Sequence, residues 1–302
     1  MNPNRLTQFA KNLIAFVIYF LGIPWLVREW ICRNKVTILL YHDVSSKVFE
    51  KHIKYLIRNY NIISLESLVT AIYNQDFTVL SKKSVVITFD DGHIDNFKLL
   101  PIFHKYSIRP TIYVCTQIIN THRHFWFKIE GLSKKEKEHL KRIPNEQRII
   151  YLRDLSNFEP KIEYKDRQAL NIDELKQMMD SVDFQPHTQT HPILPNCTEL
   201  DCKQEILGSK TDLELMLDLD CLHFSYPNGD YTEREIEFVK ECGYRSARTT
   251  DIGWNTINTS PYTLKAIPIT DSAGYIRFCA EMTSIPQRLA KIVNTFLWRR
   301  VK

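Results

Sequence analysis

The chain has 302 residues, 44% of them hydrophobic and 25% charged. That is the make-up of a globular protein able to bury a sizeable core, and with no low-complexity tract or fixed-period repeat it excludes a disordered chain and a solenoid. The net charge of +5 is uneven: residues 1–60 hold nine Lys/Arg against three Asp/Glu and residues 285–302 hold five against none, leaving the body near −6, a pattern that excludes nucleic acid as the partner and points to anionic lipid.

Residues 13–27 form an apolar run interrupted by Gly22 and Pro24, shorter than the roughly 20 residues of a spanning helix. Arg5 and Lys11 before it, Arg28, Arg33 and Lys35 after it, and Trp25 and Trp30 as interfacial anchors predict a segment lying in or dipping into one leaflet. The alternatives are a helix packed on its own domain and a signal peptide, the latter disfavoured by the bulky basic stretch at 28–35. Residues 1–34 are read as this membrane-associated segment, 35–284 as one domain.

From residue 36 short apolar runs alternate with helical patterns: a strand over 36–41, a helix near 47–59, a strand over 85–89, a helix near 94–105 and a strand over 111–115. After an excursion at about 120–167 the rhythm resumes. A helix near 172–180, a strand at 183–186, a long helix near 199–217, a strand at 222–227, a helix near 232–241 and a strand at 244–249 follow. Six or seven such units predict an α/β fold with parallel strands, enough to close a barrel. The excursion is polar, with four lysines between 134 and 141, and is read as an inserted helical lid or a solvated arm. Phe125, Trp126 and Phe127 either line a groove or staple the insertion down.

At the far end Leu289, Ile292, Val293, Phe296 and Leu297 recur at helical spacing beside Arg288, Lys291, Arg299, Arg300 and Lys302. The spacing predicts a basic amphipathic helix over 285–302, packed on the domain or laid on a membrane. The seven cysteines are odd in number and scattered, which argues for ordinary thiols in a reducing compartment over a disulfide framework or a structural zinc site.

Parallel α/β folds collect functional groups where strands end. The strand at 85–89 runs into Asp90, Asp91 and Gly92, that at 183–186 into His187 and His191, that at 222–227 into Asn228 and Gly229, and that at 36–41 into His42 and Asp43. Asp-Gly after a strand is also a common turn, and paired histidines are also found solvated or in cores. On one helical turn, however, His187 and His191 aim at one point, and two imidazoles with a carboxylate make a three-ligand site suited to catalytic zinc or another borderline divalent ion.

ThrPheAspAspGly at 88–92, HisThrGlnThrHisPro at 187–192 and PheSerTyrProAsnGly at 224–229 resemble, in order and strand context, the first three motifs of the polysaccharide deacetylase (NodB homology) family, of carbohydrate esterase family 4 type. LeuLeuTyrHisAspVal at 39–44 is similar to the opening strand of many members, and the likeness spans roughly 36–270. The resemblance implies a distorted (β/α)7-type barrel and metal-dependent removal of N-acetyl groups from amino sugars of a bacterial glycan or lipid-linked saccharide. It implies that Asp91, His187 and His191 bind a divalent metal, zinc first and Co2+, Ni2+ or Fe2+ as alternatives. It also implies that Asp90 takes a proton from the hydrolytic water and that the backbone N–H of Asn228 meets the oxyanion. Tyr226 would line the sugar pocket or belong to the core, and Trp254, in a stretch that loosely echoes the fourth motif, would be a groove wall.

Two departures matter. His223, Phe224 and Ser225 stand where many members carry an arginine, and LeuLysAlaIlePro at 264–268 occupies the place of the C-terminal Leu-x-His motif. The acid that protonates the leaving amine is then either Asp90 or His42. The same departure motivates an alternative, a non-catalytic glycan-binding scaffold; a deformylase on a lipid-linked aminosugar is another. With its cationic ends the protein is expected at a membrane surface, on the cytoplasmic face of the inner membrane or, alternatively, anchored on the periplasmic or extracellular side. The sequence carries no signal for an oligomeric state.

Overall fold

The computed structural model describes residues 3–299, with side chains over 8–292. Eight strands punctuate them: β1 (Thr37–Tyr41), β2 (Asn61–Ile62), β3 (Ser84–Phe89), β4 (Thr111–Val114), β5 (Asp183–Pro186), β6 (His223–Ser225), β7 (Ser246–Ile252) and β8 (Leu264–Pro268). Helices separate most of them, the α/β alternation read from the sequence. The chain divides into two compact units, one formed by the residues up to Thr88, Thr250–Thr259 and those from Lys265 onward, the other by Phe89–Thr249 and Ser260–Leu264.

In the first unit β1 pairs in parallel with β8, Leu39 opposite Ile267, and β2 in parallel with β3, Asn61 opposite Ser84. Every residue of β1 and β3 is buried, which explains their continuous apolar runs: a parallel strand covered on both faces has no solvent side to mark with polar residues. The helix Ser46–Asn59 turns Phe49, Ile53 and Leu56 inward at i, i+4 and i+7, the spacing of one helical face. A further helix, Leu65–Tyr73, capped by the Ser64 hydroxyl on Ser67 N–H, was not predicted. Its span is too short to show a helical period clearly.

The N-terminal helix Pro3–Phe20 breaks at Gly22, whose φ of 70° lies in the left-handed region, and resumes as Ile23–Leu26 and a π-helical turn, Val27–Ile31. Glycine tolerates that conformation, and Pro24 starts the next helix without a missing hydrogen bond. The two arms meet at 63°; no single helix among the described residues is long and apolar enough to cross a membrane, and this bent pair meets the length and composition only together. Ala15 and Ile18 pack with Ala280 of the helix Tyr275–Glu281, as the packed-helix alternative requires. Phe9, Leu13, Phe16, Phe20, Leu21, Trp25 and Trp30 remain exposed. The terminal helix Ile285–Arg299 forms as expected, with Leu289 and Ile292 exposed; the side chains of Val293, Phe296, Leu297 and the last cations lie outside the described residues.

In the second unit β4 and β5 run parallel over four residues, Thr111 opposite Asp183 to Val114 opposite Pro186, and β6 and β7 run parallel with Ser225 opposite Arg248. The excursion is an inserted helical element. Lys134–Leu140 opens with a Ser133–Glu136 capping box, Asn145–Ser156 follows, and Trp126, Leu140, Leu152, Phe158 and Ile193 form a small core beneath them. All seven cysteines are free and buried.

Candidate metal centre and active site

The site is assembled in the second unit from three strand ends. After β3, Asp91 (φ 73°) and Gly92 (φ 67°) both take left-handed backbone, so the chain turns sharply out of the strand at its paired carboxylates. At Gly92 a Cβ would stand 2.7 Å from Val114 Cγ1, which is why the motif ends in glycine. After β5, His187 N–H donates to Val114 O (2.8 Å), while Thr116 and Gln117 N–H donate to Thr188 O and Gln189 O. The histidine pair therefore sits on a loop bonded to the end of β4. It does not sit on a helical turn as predicted: Thr188 (φ 67°) and His191 (φ 60°) are both left-handed, and the Thr188 hydroxyl accepts from His191 N–H at 3.0 Å. Glu205, from the helix Glu199–Leu217, accepts from the N–H groups of Gln189 (2.7 Å) and Thr190 (2.9 Å) and from the Thr190 hydroxyl. Buried loop amides are thus satisfied and the loop is fixed.

His187 Nδ1 is 2.7 Å from Ser225 O. A carbonyl only accepts, so Nδ1 carries the proton and Nε2 presents its lone pair inward. That Nε2 stands 3.7 Å from Asp91 Oδ1, and His191 Nε2 stands 3.4 Å from the same oxygen. One donor atom from each of Asp91, His187 and His191 lies within 4.8 Å of the others, and all three residues are buried. Burial pushes the His187 imidazole below its ordinary pKa and takes His191 down to about 3, so both are neutral near pH 7, the form a metal requires. Two neutral imidazoles and one carboxylate are a donor set that fits a catalytic divalent ion.

Asp90 lies beside this triad, its Oδ2 3.8 Å from His187 Nε2. Its partner is a residue the sequence reading missed. Arg248, fully buried at the register position opposite Ser225, donates from Nη2 to both Asp90 oxygens and to Ser225 Oγ, and from Nη1 to Thr249 O. Arg248 thus stands in register beside Ser225, one of the residues at the place where many members carry an arginine. Its signal was an arginine inside a run that pairs as a buried strand. His93 was missed as well; it directly follows AspAspGly, and its Nε2 lies 3.1 Å from Asp91 Oδ2.

A family model for polysaccharide deacetylases matches residues 78–247, a stretch containing Asp90, Asp91, His187 and His191. The chain belongs to the polysaccharide deacetylase family. Among relatives of this deacetylase, YxkH of Bacillus subtilis (strain 168) is 24% identical over 261 residues, covering 83% of this chain and 77% of the relative. Among solved structures, the Streptococcus pyogenes deacetylase PplD in complex with acetate matches with a TM-score of 0.60 at 20% identity, over 86% of this chain and 98% of that one. IcaB from Ammonifex degensii matches with a TM-score of 0.61 at 17% identity, over 84% and 97% of the two chains. At these identities the likeness shows the fold, and it is the (β/α)7-type fold of the NodB kind that the motifs imply.

The remaining predicted residues divide. Asn228 takes left-handed backbone (φ 57°) in the turn Pro227–Gly229, its side chain donating to Asp230 at 2.6 Å. Tyr226 is fully buried, stacks on Tyr231 and donates its hydroxyl to Tyr262 O at 3.2 Å; it is a core residue in place of a pocket wall, because its polar tip already has an acceptor. His42 and Trp254 belong to the first unit. The His42 N–H donates to Asp271, and the Trp254 ring carries Lys35 and Arg288. Trp126 is buried under the Arg148 guanidinium and packs with Leu140, Leu152, Phe158 and Ile193, the contacts of the staple.

Proposed function

We propose that this polysaccharide deacetylase is a metal-dependent hydrolase of the C–N bond in N-acetylated amino sugars, acting on a bacterial glycan or lipid-linked saccharide at a membrane surface. The observation that carries the reading is the convergence of Asp91, His187 and His191 within 4.8 Å, all buried, with Asp90 held beside them. When bound, a divalent ion, zinc in first place, supplies polarisation of the amide carbonyl and a lowered pKa for the attacking water. Asp90, fixed by Arg248, accepts the proton of that water as its oxygen adds to the carbonyl carbon. The N–H of Asn228 serves the developing oxyanion. As the C–N bond breaks, the proton held by Asp90 passes to the nitrogen, leaving acetate and a free amine, so no Leu-x-His acid is needed. Acetate as the ligand of PplD supports acetate as product.

The test is acetate release. Zinc-reconstituted protein should free acetate from N-acetylhexosamine oligomers or lipid-linked N-acetylated saccharides, and Asp90→Asn should cut release about 10²–10⁴-fold while keeping its zinc. Formate release from an N-formylated sugar, without acetate from any N-acetylated one, would replace this reading with a deformylase.

The membrane part rests on the exposed apolar side chains between Leu13 and Ile31, with Lys11 before them and Arg33 and Lys35 after them. Tryptophans at such a boundary and cations beside it suit an anionic bilayer face. The protein should sediment with vesicles containing anionic phospholipid, and Trp25→Ser with Trp30→Ser should release it. Equal sedimentation of that double variant would place the contact elsewhere.

A further inference from the structure

The root of the helical insertion is a single turn, Trp126–Lys128; its first two side chains meet His191 of the metal triad, and the third meets His93, the neighbour of Asp91. The Trp126 indole Nε1–H donates to the backbone oxygen of His191 at 2.9 Å. The Phe127 ring packs edge-on against the His191 imidazole, centroids 4.8 Å apart. The Lys128 ammonium lies 3.0 Å from His93 Nδ1, and His93 Nε2 lies 3.1 Å from Asp91 Oδ2.

We propose that Trp126–Lys128 is a clamp that sets the geometry and affinity of the metal site, with Lys128 and Trp126 as positioning residues. The inference rests on the reading of Asp91, His187 and His191 as metal ligands. An ammonium only donates and a carboxylate only accepts, so Lys128 and Asp91 together place the lone pair of His93 on Nδ1 and its proton on Nε2 and hold the ring from both sides. That proton then meets Asp91 Oδ2, which turns the other carboxylate oxygen, Oδ1, toward His187 and His191. Without the ammonium the ring loses its outer anchor at Nδ1, and the donor that fixes Asp91 Oδ2 is no longer held in place. Trp126 and Phe127 act on the other ligand: they hold the backbone and the ring of His191, whose left-handed conformation (φ 60°) is costly without outside support. Outer partners of this kind orient ligands, and their loss typically weakens metal binding about 10–100-fold. The insertion thus takes part in the metal site through its root.

Zinc affinity of the full-length protein, measured by competition with a chromogenic chelator, tests this. Lys128→Met should bind zinc at least about 10-fold more weakly, Lys128→Arg should recover most of the loss, and Trp126→Phe, which keeps a ring and removes the donor, should weaken binding independently. Ile150→Ser, at an exposed position on the insertion's second helix, should leave affinity unchanged. Nitrogen-15 spectra of the metal-free wild type should show His93 protonated at Nε2, a readout that depends on no variant folding. Zinc binding by the wild type with unaltered affinity in Lys128→Met and Trp126→Phe overturns the clamp alone, as does a His93 proton on Nδ1. A wild type that binds no zinc overturns the metal reading beneath it.

Discussion

Replacing Arg248 with methionine tests the architecture of the base most sharply. Arg248 is 0% exposed and Asp90 4%, and the guanidinium is the cation bonded to both carboxylate oxygens. Methionine fills similar space but leaves a buried carboxylate without its counter-charge, which typically costs about 3–5 kcal/mol, a large part of the roughly 5–15 kcal/mol that stabilises a domain. Removing both charges, in Arg248→Met with Asp90→Asn, should recover most of that loss, because neither ion is then stranded. Urea unfolding of the metal-free wild type, both single variants and the double variant closes the cycle. Deacetylation should fall about 10²–10⁴-fold in each single variant, the usual value of a positioned base, and no further in the double, since both substitutions disable one device. A coupling energy under about 0.5 kcal/mol, the level at which independent sites add, would refute the assignment of Arg248 as the group that holds Asp90.

Other expectations follow from the same geometry. Gly92→Ala puts a Cβ 2.7 Å from Val114 Cγ1 at φ 67° and should lower stability by about 1–3 kcal/mol, as overpacking does, with a parallel loss of zinc affinity; an unchanged melting temperature and affinity would show that the turn can relax. Burial holds His191 at about 3 and His52 at about 4, against an ordinary 6.5. The unfolded chain takes up these protons from pH 6.5 downward while the folded chain does not, so metal-free protein should lose up to about 1.4 kcal/mol per pH unit and histidine between pH 6.5 and 4; a melting temperature flat over that window would contradict the burial. Glu205→Ala strips the acceptor from the amides of Gln189 and Thr190, and amide exchange at those two positions should rise with a fall in zinc affinity. Unaltered exchange would mean that water takes over the acceptor's place.

Much of the site was legible because its chemistry sits in short motifs at strand ends. Asp90, Asp91, His187 and His191 needed only the strand runs before them to be placed together. What the sequence concealed is held by long-range pairing: Arg248 meets Asp90 from β7, in register beside β6, and Lys128 comes from the insertion to the His93 ring that bonds Asp91. Spacing misled where backbone was unusual. Four residues between histidines suggested a helical turn, whereas the left-handed Thr188 and His191 make a strained loop that no periodicity encodes. The aromatic trio at 125–127 was recognised as a feature of note, but only coordinates distinguish a groove wall from a staple gripping the His191 carbonyl. The interruption at Gly22 and Pro24 was readable, since those residues act through local conformation alone; the 63° bend and the π-helical turn after it were not.

The central claim is that Asp91, His187 and His191 share one divalent ion. Anomalous diffraction at the zinc edge from crystals grown with zinc tests it directly. A single strong peak should lie among Asp91 Oδ1, His187 Nε2 and His191 Nε2, with the Asp90 carboxylate still on Arg248; zinc-saturated crystals with no peak among those three atoms would rule out a shared ion.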